Sequence, residues 1–167
     1  MSGAAAGVSG DAAGVSGAAA GVSGSAAGAG AGGSAAGSGV TAALTALTVG
    51  AASSGVSGSA KFSAKANAVS VTVDIAGCTA GKAYPVHIHT GTSCDTPETQ
   101  MGHWDMTRGE GIPSIPCVGT TGTVTYERVD TDPTLAWTIG GAANNIVGHV
   151  VVVHDPDNTR LACGKIL

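Results

Sequence analysis

The strongest constraint on the fold is a strict alternation of apolar and polar residues between Val69 and Ile75. Side chains on a strand point alternately to its two faces, so this pattern predicts a half-buried antiparallel strand. Further short strands are expected at 41–49, 58–64, around 87–89, at 122–129, 135–139 and 146–154, and through Cys163, with a long loop over 90–120. No helix of useful length is predicted. Many short strands separated by turns indicate an all-β domain, either a β-sandwich or a β-barrel.

The first 40 residues are low in complexity, and the unit Ala-Ala-Gly-Val-Ser-Gly recurs every seven residues at 5–10, 12–17 and 19–24. A coiled coil does not fit, because each glycine costs about 1 kcal/mol in a helix and Val is the only sizeable side chain in the unit. We therefore predict a disordered Gly/Ser-type tether over 1–40, with a silk-like stacking segment as the alternative. The β-domain is expected to span 41–167.

The charge and the cysteine content limit which partners and which cellular compartment the protein is expected to have. The formal net charge is −4, and the sequence has no basic patch with interleaved aromatics. These two features argue against nucleic acid as a partner. Four single cysteines, Cys78, Cys94, Cys117 and Cys163, fit two disulfides better than a zinc knuckle, and three pairings remain open. Disulfides favour the periplasm, the cell surface or secretion, whereas free buried thiols in a cytosolic protein are the alternative.

The sequence contains no recognisable targeting signal. No signal peptide is visible, and no run approaches the ~20 apolar residues of a membrane span. We expect that a signal peptide was removed, and that any membrane or surface anchor would lie upstream of the tether. The sequence carries no signal for an oligomeric state.

Three of the five histidines, His87, His89 and His103, lie close together in the chain. Because His87 and His89 are two residues apart on a predicted strand, their rings project from the same face. His154 ends an apolar strand, whereas His149 falls on the opposite face and is interpreted as a hydrogen-bonded structural histidine. With His154, the three clustered histidines would make an all-nitrogen site, which suits Cu(II). Zinc held by three histidines and a water is the competing arrangement.

The sequence around these histidines resembles the copper/zinc superoxide dismutase family over roughly residues 45–167. The blocks that carry the likeness follow the family's order: His87-Ile88-His89, Gly91 to Cys94, Gly102-His103, Gly148 to Val153 leading into His154-Asp155, and Arg160-Leu161-Ala162-Cys163-Gly164. The resemblance implies a Greek-key β-barrel and one copper ion per chain. The implied copper ligands are His87, His89, His103 and His154.

The resemblance also implies the disulfide pairing and the chemistry. It implies a Cys94–Cys163 bridge, which leaves Cys78–Cys117 as the second. The implied reaction is dismutation of superoxide to dioxygen and hydrogen peroxide. The family's arginine beside the copper falls on Arg160, whose permanent charge and fixed fork of donors suit a small anion.

Two departures from the family pattern change the expectation. The family's zinc ligands follow the third copper histidine, but no histidine occurs between His103 and His149, so the zinc site is expected to be absent, as in the copper-only members. The segment between His154 and Arg160 is short, so the family's long charged guiding loop is expected to be missing.

Without zinc, the second nitrogen of His103 needs another partner, because a metal-bound imidazole is normally oriented by an acceptor. Asp105 and Glu110 are the nearest acids in the sequence. We expect one of them to orient His103 and to help relay protons. The alternative is that both acids are solvated in the loop.

The preferred interpretation is an exported, copper-dependent superoxide dismutase without zinc. The alternative is a copper-binding β-domain that buffers or delivers the metal with little or no turnover. A third interpretation is a β-domain with a vestigial site on a surface tether. The presence of Arg160 together with all four histidines favours the enzyme.

Overall fold

The computed structural model describes residues 39–66, 68–104, 111–129, 135–141 and 143–167. The predicted tether over 1–40 lies outside these ranges, apart from its last two residues. Asp105 and Glu110 also lie outside the described residues. Among the described residues, no helix has the length and apolar content needed to cross a membrane.

The described chain forms short strands and one helical turn. In order they are β1 (Gly39–Ala46), β2 (Thr48–Val49), β3 (Ala52–Ser53), β4 (Ser57–Lys65), β5 (Ala68–Ala76), β6 (Ala83–His89), α1 (Pro97–Gln100), β7 (Ile112–Val118), β8 (Thr121–Val129), β9 (Val150–His154) and β10 (Arg160–Lys165). The strand pattern at Val69–Ile75 therefore lies within β5, as its alternation predicts.

Eight of these strands close into an antiparallel barrel in the order β1-β10-β9-β6-β7-β8-β5-β4. The ring closes because β4 pairs with β1, and β2 and β3 form a separate two-stranded sheet. Consecutive strands β5 and β6 are not neighbours: β5 pairs with β8, whereas β6 pairs with β7 and β9. Such crossovers define a Greek key. The predicted all-β Greek-key barrel is confirmed.

The barrel core is built from the inward-facing residues of each strand. On β5, Val71 and Val73 are fully buried, and Val71 lies opposite the buried Phe62 of β4. Ile88 of β6 and Ile115 of β7 are also fully buried in the same core. Burying each such side chain contributes about 1.5–3 kcal/mol, so this core accounts for much of the barrel's stability.

Two local predictions were wrong. The 90–120 segment is not one long loop, since it contains α1 and β7. Pro113 and Pro116 hid β7 from the sequence pattern, because proline cannot donate to a sheet ladder. The strand expected at 135–139 is absent from that range, which carries only an isolated bridge between Thr138 and Asn145.

Both disulfides implied by the resemblance are present. Cys78–Cys117 ties the segment after β5 to β7, and Cys94–Cys163 ties the loop after β6 to β10. The second bridge closes 69 residues, and it holds the 90–104 loop against the outer face of the barrel.

Candidate metal centre

Strand β6 presents two histidines on the outer face of the barrel. Val86 and Ile88 belong to the barrel core, so the alternation of the strand turns His87 and His89 to the other face. The neighbouring strand β9 is in register, with His87 opposite Val152. The predicted alternation along this strand therefore fits the burial of its apolar residues.

The other two histidines reach this face from different elements. His154 ends β9 and lies opposite Arg160 of β10. His103 lies on the loop after α1 and forms an isolated antiparallel bridge with His89. The amide of Trp104 then donates to the carbonyl of Ile88 over 2.7 Å, which fixes this end of the loop against β6.

Three imidazoles form a tight group. His89, His103 and His154 each offer a ring nitrogen, and these atoms all lie within 4.8 Å of one another. The Nε2 atoms of His89 and His154 are 3.2 Å apart. His87 flanks the group, with its ring stacked on that of His103 at a centroid distance of 4.1 Å. The structure therefore brings all four predicted rings together, with three of them in the tight group.

Backbone carbonyls set the tautomer of two of these rings. His89 Nδ1 lies 3.0 Å from the carbonyl oxygen of Met101, and His154 Nδ1 lies 3.2 Å from that of Asn158. A carbonyl can only accept, so each Nδ1 carries the hydrogen and donates it. Each Nε2 then keeps its lone pair, which is the arrangement that orients a histidine for metal binding.

Burial keeps the same two rings neutral. It lowers the pKa of His89 to about 3 and the pKa of His154 to about 4. The hydrogen bonds to the two carbonyls oppose this effect, whereas the charges of His103 and Arg160 lower both pKa values further. At neutral pH both rings are therefore uncharged, which is the form that binds a metal ion.

Arg160 joins β10 to the α1 segment. Its Nη1 donates to the carbonyl of Pro97 over 2.5 Å and to Oε1 of Gln100 over 3.2 Å. Its Nη2 donates to the carbonyl of Met101 over 2.7 Å. The Met101 carbonyl thus accepts from both Arg160 and His89, which couples the guanidinium to the histidine group.

A groove of about 490 Å³ opens beside this arginine. It runs between the end of β1 and the α1 segment, and its lining includes Leu47, Cys94, Pro97 and Arg160. Arg160 is only half-buried, so the groove connects the guanidinium with solvent.

His149 does not join the group. Its Nδ1 lies 3.2 Å from the carbonyl of Thr90, and its ring stacks on Trp104 at a centroid distance of 5.1 Å. These contacts agree with its interpretation as a structural histidine. Sequence reasoning missed Gln100 and Met101, because a single amide in an irregular loop forms no pattern and a backbone carbonyl, through which Met101 acts, depends on no particular residue type.

A closed antiparallel barrel with a cluster of imidazoles on its outer face defines a β-barrel protein with a candidate metal site. The family described as copper/zinc superoxide dismutase (SODC) matches residues 56–166, and the chain belongs to this family. Comparison with curated proteins gives no match.

Among solved structures, a mutant of superoxide dismutase 5 from Candida albicans matches with a TM-score of 0.55 and 19% sequence identity. The match covers 77% of this chain and 90% of the other. At this identity the likeness shows a shared fold.

Proposed function

We propose that this chain is a copper-dependent superoxide dismutase that works outside the cytoplasm and has no zinc site. Membership of the copper/zinc superoxide dismutase family supports the activity. The observation that carries the proposal is the group of three imidazole nitrogens within 4.8 Å of one another. Its donors are imidazole nitrogens, which suit copper.

The four histidines would hold the metal, with His89, His103 and His154 as the tight group and His87 beside it. Copper, when bound, supplies the one-electron chemistry by which two superoxide anions and two protons become dioxygen and hydrogen peroxide. Arg160 would attract the anion, because its guanidinium is always charged and lies at the edge of an open groove.

Proton supply is assigned to the loop after His103. We propose that Asp105 or Glu110 orients His103 and relays protons, since a metal-bound imidazole is usually held by an acceptor at its second nitrogen. Alanine at each position should lower turnover or copper affinity. Unchanged turnover and copper affinity in both variants would refute the proposed proton relay.

The absence of zinc and the compartment are supported by the sequence and by the disulfides. No histidine lies between His103 and His149, where the family's zinc ligands would be expected. Two disulfides and no free cysteine fit an oxidising compartment.

We propose that the chain divides into a tether over residues 1–40 and a catalytic domain over residues 41–167.

Metal counting and superoxide decay test the proposal together. The purified protein would be loaded with copper, the copper and zinc per chain counted, and superoxide decay followed by pulse radiolysis. The expected result is one copper, no zinc and catalytic decay that is lost in His154→Gln. One bound copper without catalysis would instead indicate a protein that buffers or delivers copper. No bound copper would indicate a β-domain whose metal site is vestigial.

A further inference from the structure

We propose that Gln100 is the positioning residue for Arg160, and that its neutral amide holds the guanidinium without cancelling its charge. This inference rests on the proposed function, because it concerns how Arg160 attracts an anion. It adds a residue that neither the sequence pattern nor the family resemblance singles out.

Gln100 is a buried amide with both ends of its side chain engaged. Only 1% of the residue is exposed, and a buried amide must have hydrogen-bond partners to avoid a large desolvation cost. Its Nε2 donates to the carbonyl of Cys94 over 3.3 Å, and its Oε1 accepts from Arg160 Nη1 over 3.2 Å. Because Cys94 offers a carbonyl, the amide nitrogen must face it, and the oxygen must face Arg160.

The backbone of Gln100 is fixed from two sides. Thr96 caps α1 through a capping box with Thr99, and the Gln100 amide donates to the Thr96 carbonyl over 3.1 Å. On the other side, the Gly91 amide donates to the Gln100 carbonyl over 3.0 Å. A Cβ at Gly91 would lie 2.5 Å from that carbonyl oxygen, so only glycine allows this approach.

The chemistry of the acceptor distinguishes Gln100 from the other partners of Arg160. Pro97 and Met101 accept through backbone carbonyls, which almost any residue could supply. Gln100 instead accepts through its side chain, so its identity matters. A glutamate would hold the guanidinium at least as firmly, but its negative charge would offset the positive charge that attracts superoxide. A neutral acceptor orients the fork and leaves its charge intact.

The hydrogen bond from Gln100 to the Cys94 carbonyl links the contact between Gln100 and Arg160 to the disulfide. Cys94 is bonded to Cys163 of β10, and Arg160 begins the same strand. Gln100 therefore closes a loop of contacts from Cys94 through its own amide to Arg160. The guanidinium is held relative to β10 by the strand itself and relative to the 90–104 loop by Gln100.

Two substitutions separate orientation from charge. Gln100→Met keeps the length of the side chain but removes both hydrogen bonds, whereas Gln100→Glu keeps the acceptor and adds a negative charge. Azide would be titrated into each copper-loaded variant and followed by its absorption spectrum, which reports anion binding independently of turnover. Superoxide decay would be measured over a range of ionic strengths.

Gln100→Met should weaken azide binding about threefold, the effect of losing one modest hydrogen bond to Arg160. Gln100→Glu should weaken it about tenfold and flatten the dependence of superoxide decay on ionic strength, because the new carboxylate opposes the guanidinium. Ser63→Glu is the matched control, since it adds the same charge at an exposed position on β4, opposite Gly39 at the end of β1 that lies away from the groove. It should leave azide binding unchanged.

A double-variant cycle with Arg160→Met decides whether Gln100 acts through Arg160. The threefold effect of Gln100→Met should vanish when the guanidinium is absent. The same factor in both backgrounds, or no effect of Gln100→Met in either, would overturn the inference and leave the proposed function standing. If Arg160→Met alone changed neither azide binding nor superoxide decay, the role of Arg160 and this inference would both fail. Should Gln100→Met not fold, wild-type azide affinity in Gln100→Glu would overturn the inference.

Discussion

Acid should destabilise the metal-free protein because two buried imidazoles take up protons only when it unfolds. The pKa of His89 is lowered to about 3 and that of His154 to about 4, against an ordinary value near 6.5 in an unfolded chain. Between pH 6.5 and pH 4, the unfolded state therefore binds more protons than the folded state. The free energy of unfolding must fall as the pH falls through this window.

The size of the effect follows from the same values. Each group contributes about 1.4 kcal/mol for every pH unit in which only the unfolded state is protonated. For two groups between pH 6.5 and pH 4.5, the loss approaches about 5 kcal/mol. A loss of this size equals much of the total stability of a typical domain, which is about 5–15 kcal/mol.

Urea unfolding at a series of pH values measures this loss. The protein would be stripped of metal with a chelator and kept oxidised, so that both disulfides stay closed. His154→Gln removes one of the two groups, so its slope should be shallower by about 1.4 kcal/mol per pH unit. A free energy of unfolding that is flat from pH 6.5 to pH 4.5, or an identical slope in the variant, would refute the assignment of these rings as buried and neutral.

Two further changes test the loop that carries the site. Replacing Cys94 and Cys163 by serine should cost about 4 kcal/mol, because the bridge closes 69 residues, and should also weaken copper binding. The matched loss of Cys78 and Cys117 should cost a similar amount in urea unfolding but spare copper affinity, and equal copper losses would contradict this. Met101, with φ 59° and ψ −154°, adopts a conformation open almost only to glycine. Met101→Gly should therefore raise the free energy of unfolding by about 1 kcal/mol, whereas a gain of the same size in Met101→Ala would argue against backbone strain.

The parts of the fold that the sequence predicted are those with a clean period. The alternation in β5 marked its buried face directly, because every second residue from Val69 to Ile75 is apolar. Strand β7 was missed because Pro113 and Pro116 interrupt the same signal. The segment at 135–139 looked like a strand but is followed by Gly140, whose φ is 75° and which turns the chain away from extended pairing.

Some residues of the candidate site could be predicted from the sequence, whereas others could not. The spacing of His87 and His89 predicted a shared face, the small number of histidines in the sequence pointed to His103 and His154 as their companions, and the family resemblance added Arg160. No sequence rule links Gln100 to Arg160, because they are 60 residues apart and meet only when the 90–104 loop folds onto β10. Contacts of this kind depend on tertiary structure alone.

Electron paramagnetic resonance of the copper-loaded protein would show whether the histidine group holds the metal. We expect one Cu(II) per chain with superhyperfine coupling to at least three imidazole nitrogens, and a changed spectrum in His89→Gln and in His154→Gln. A spectrum dominated by oxygen ligands, or one that neither substitution alters, would contradict this expectation.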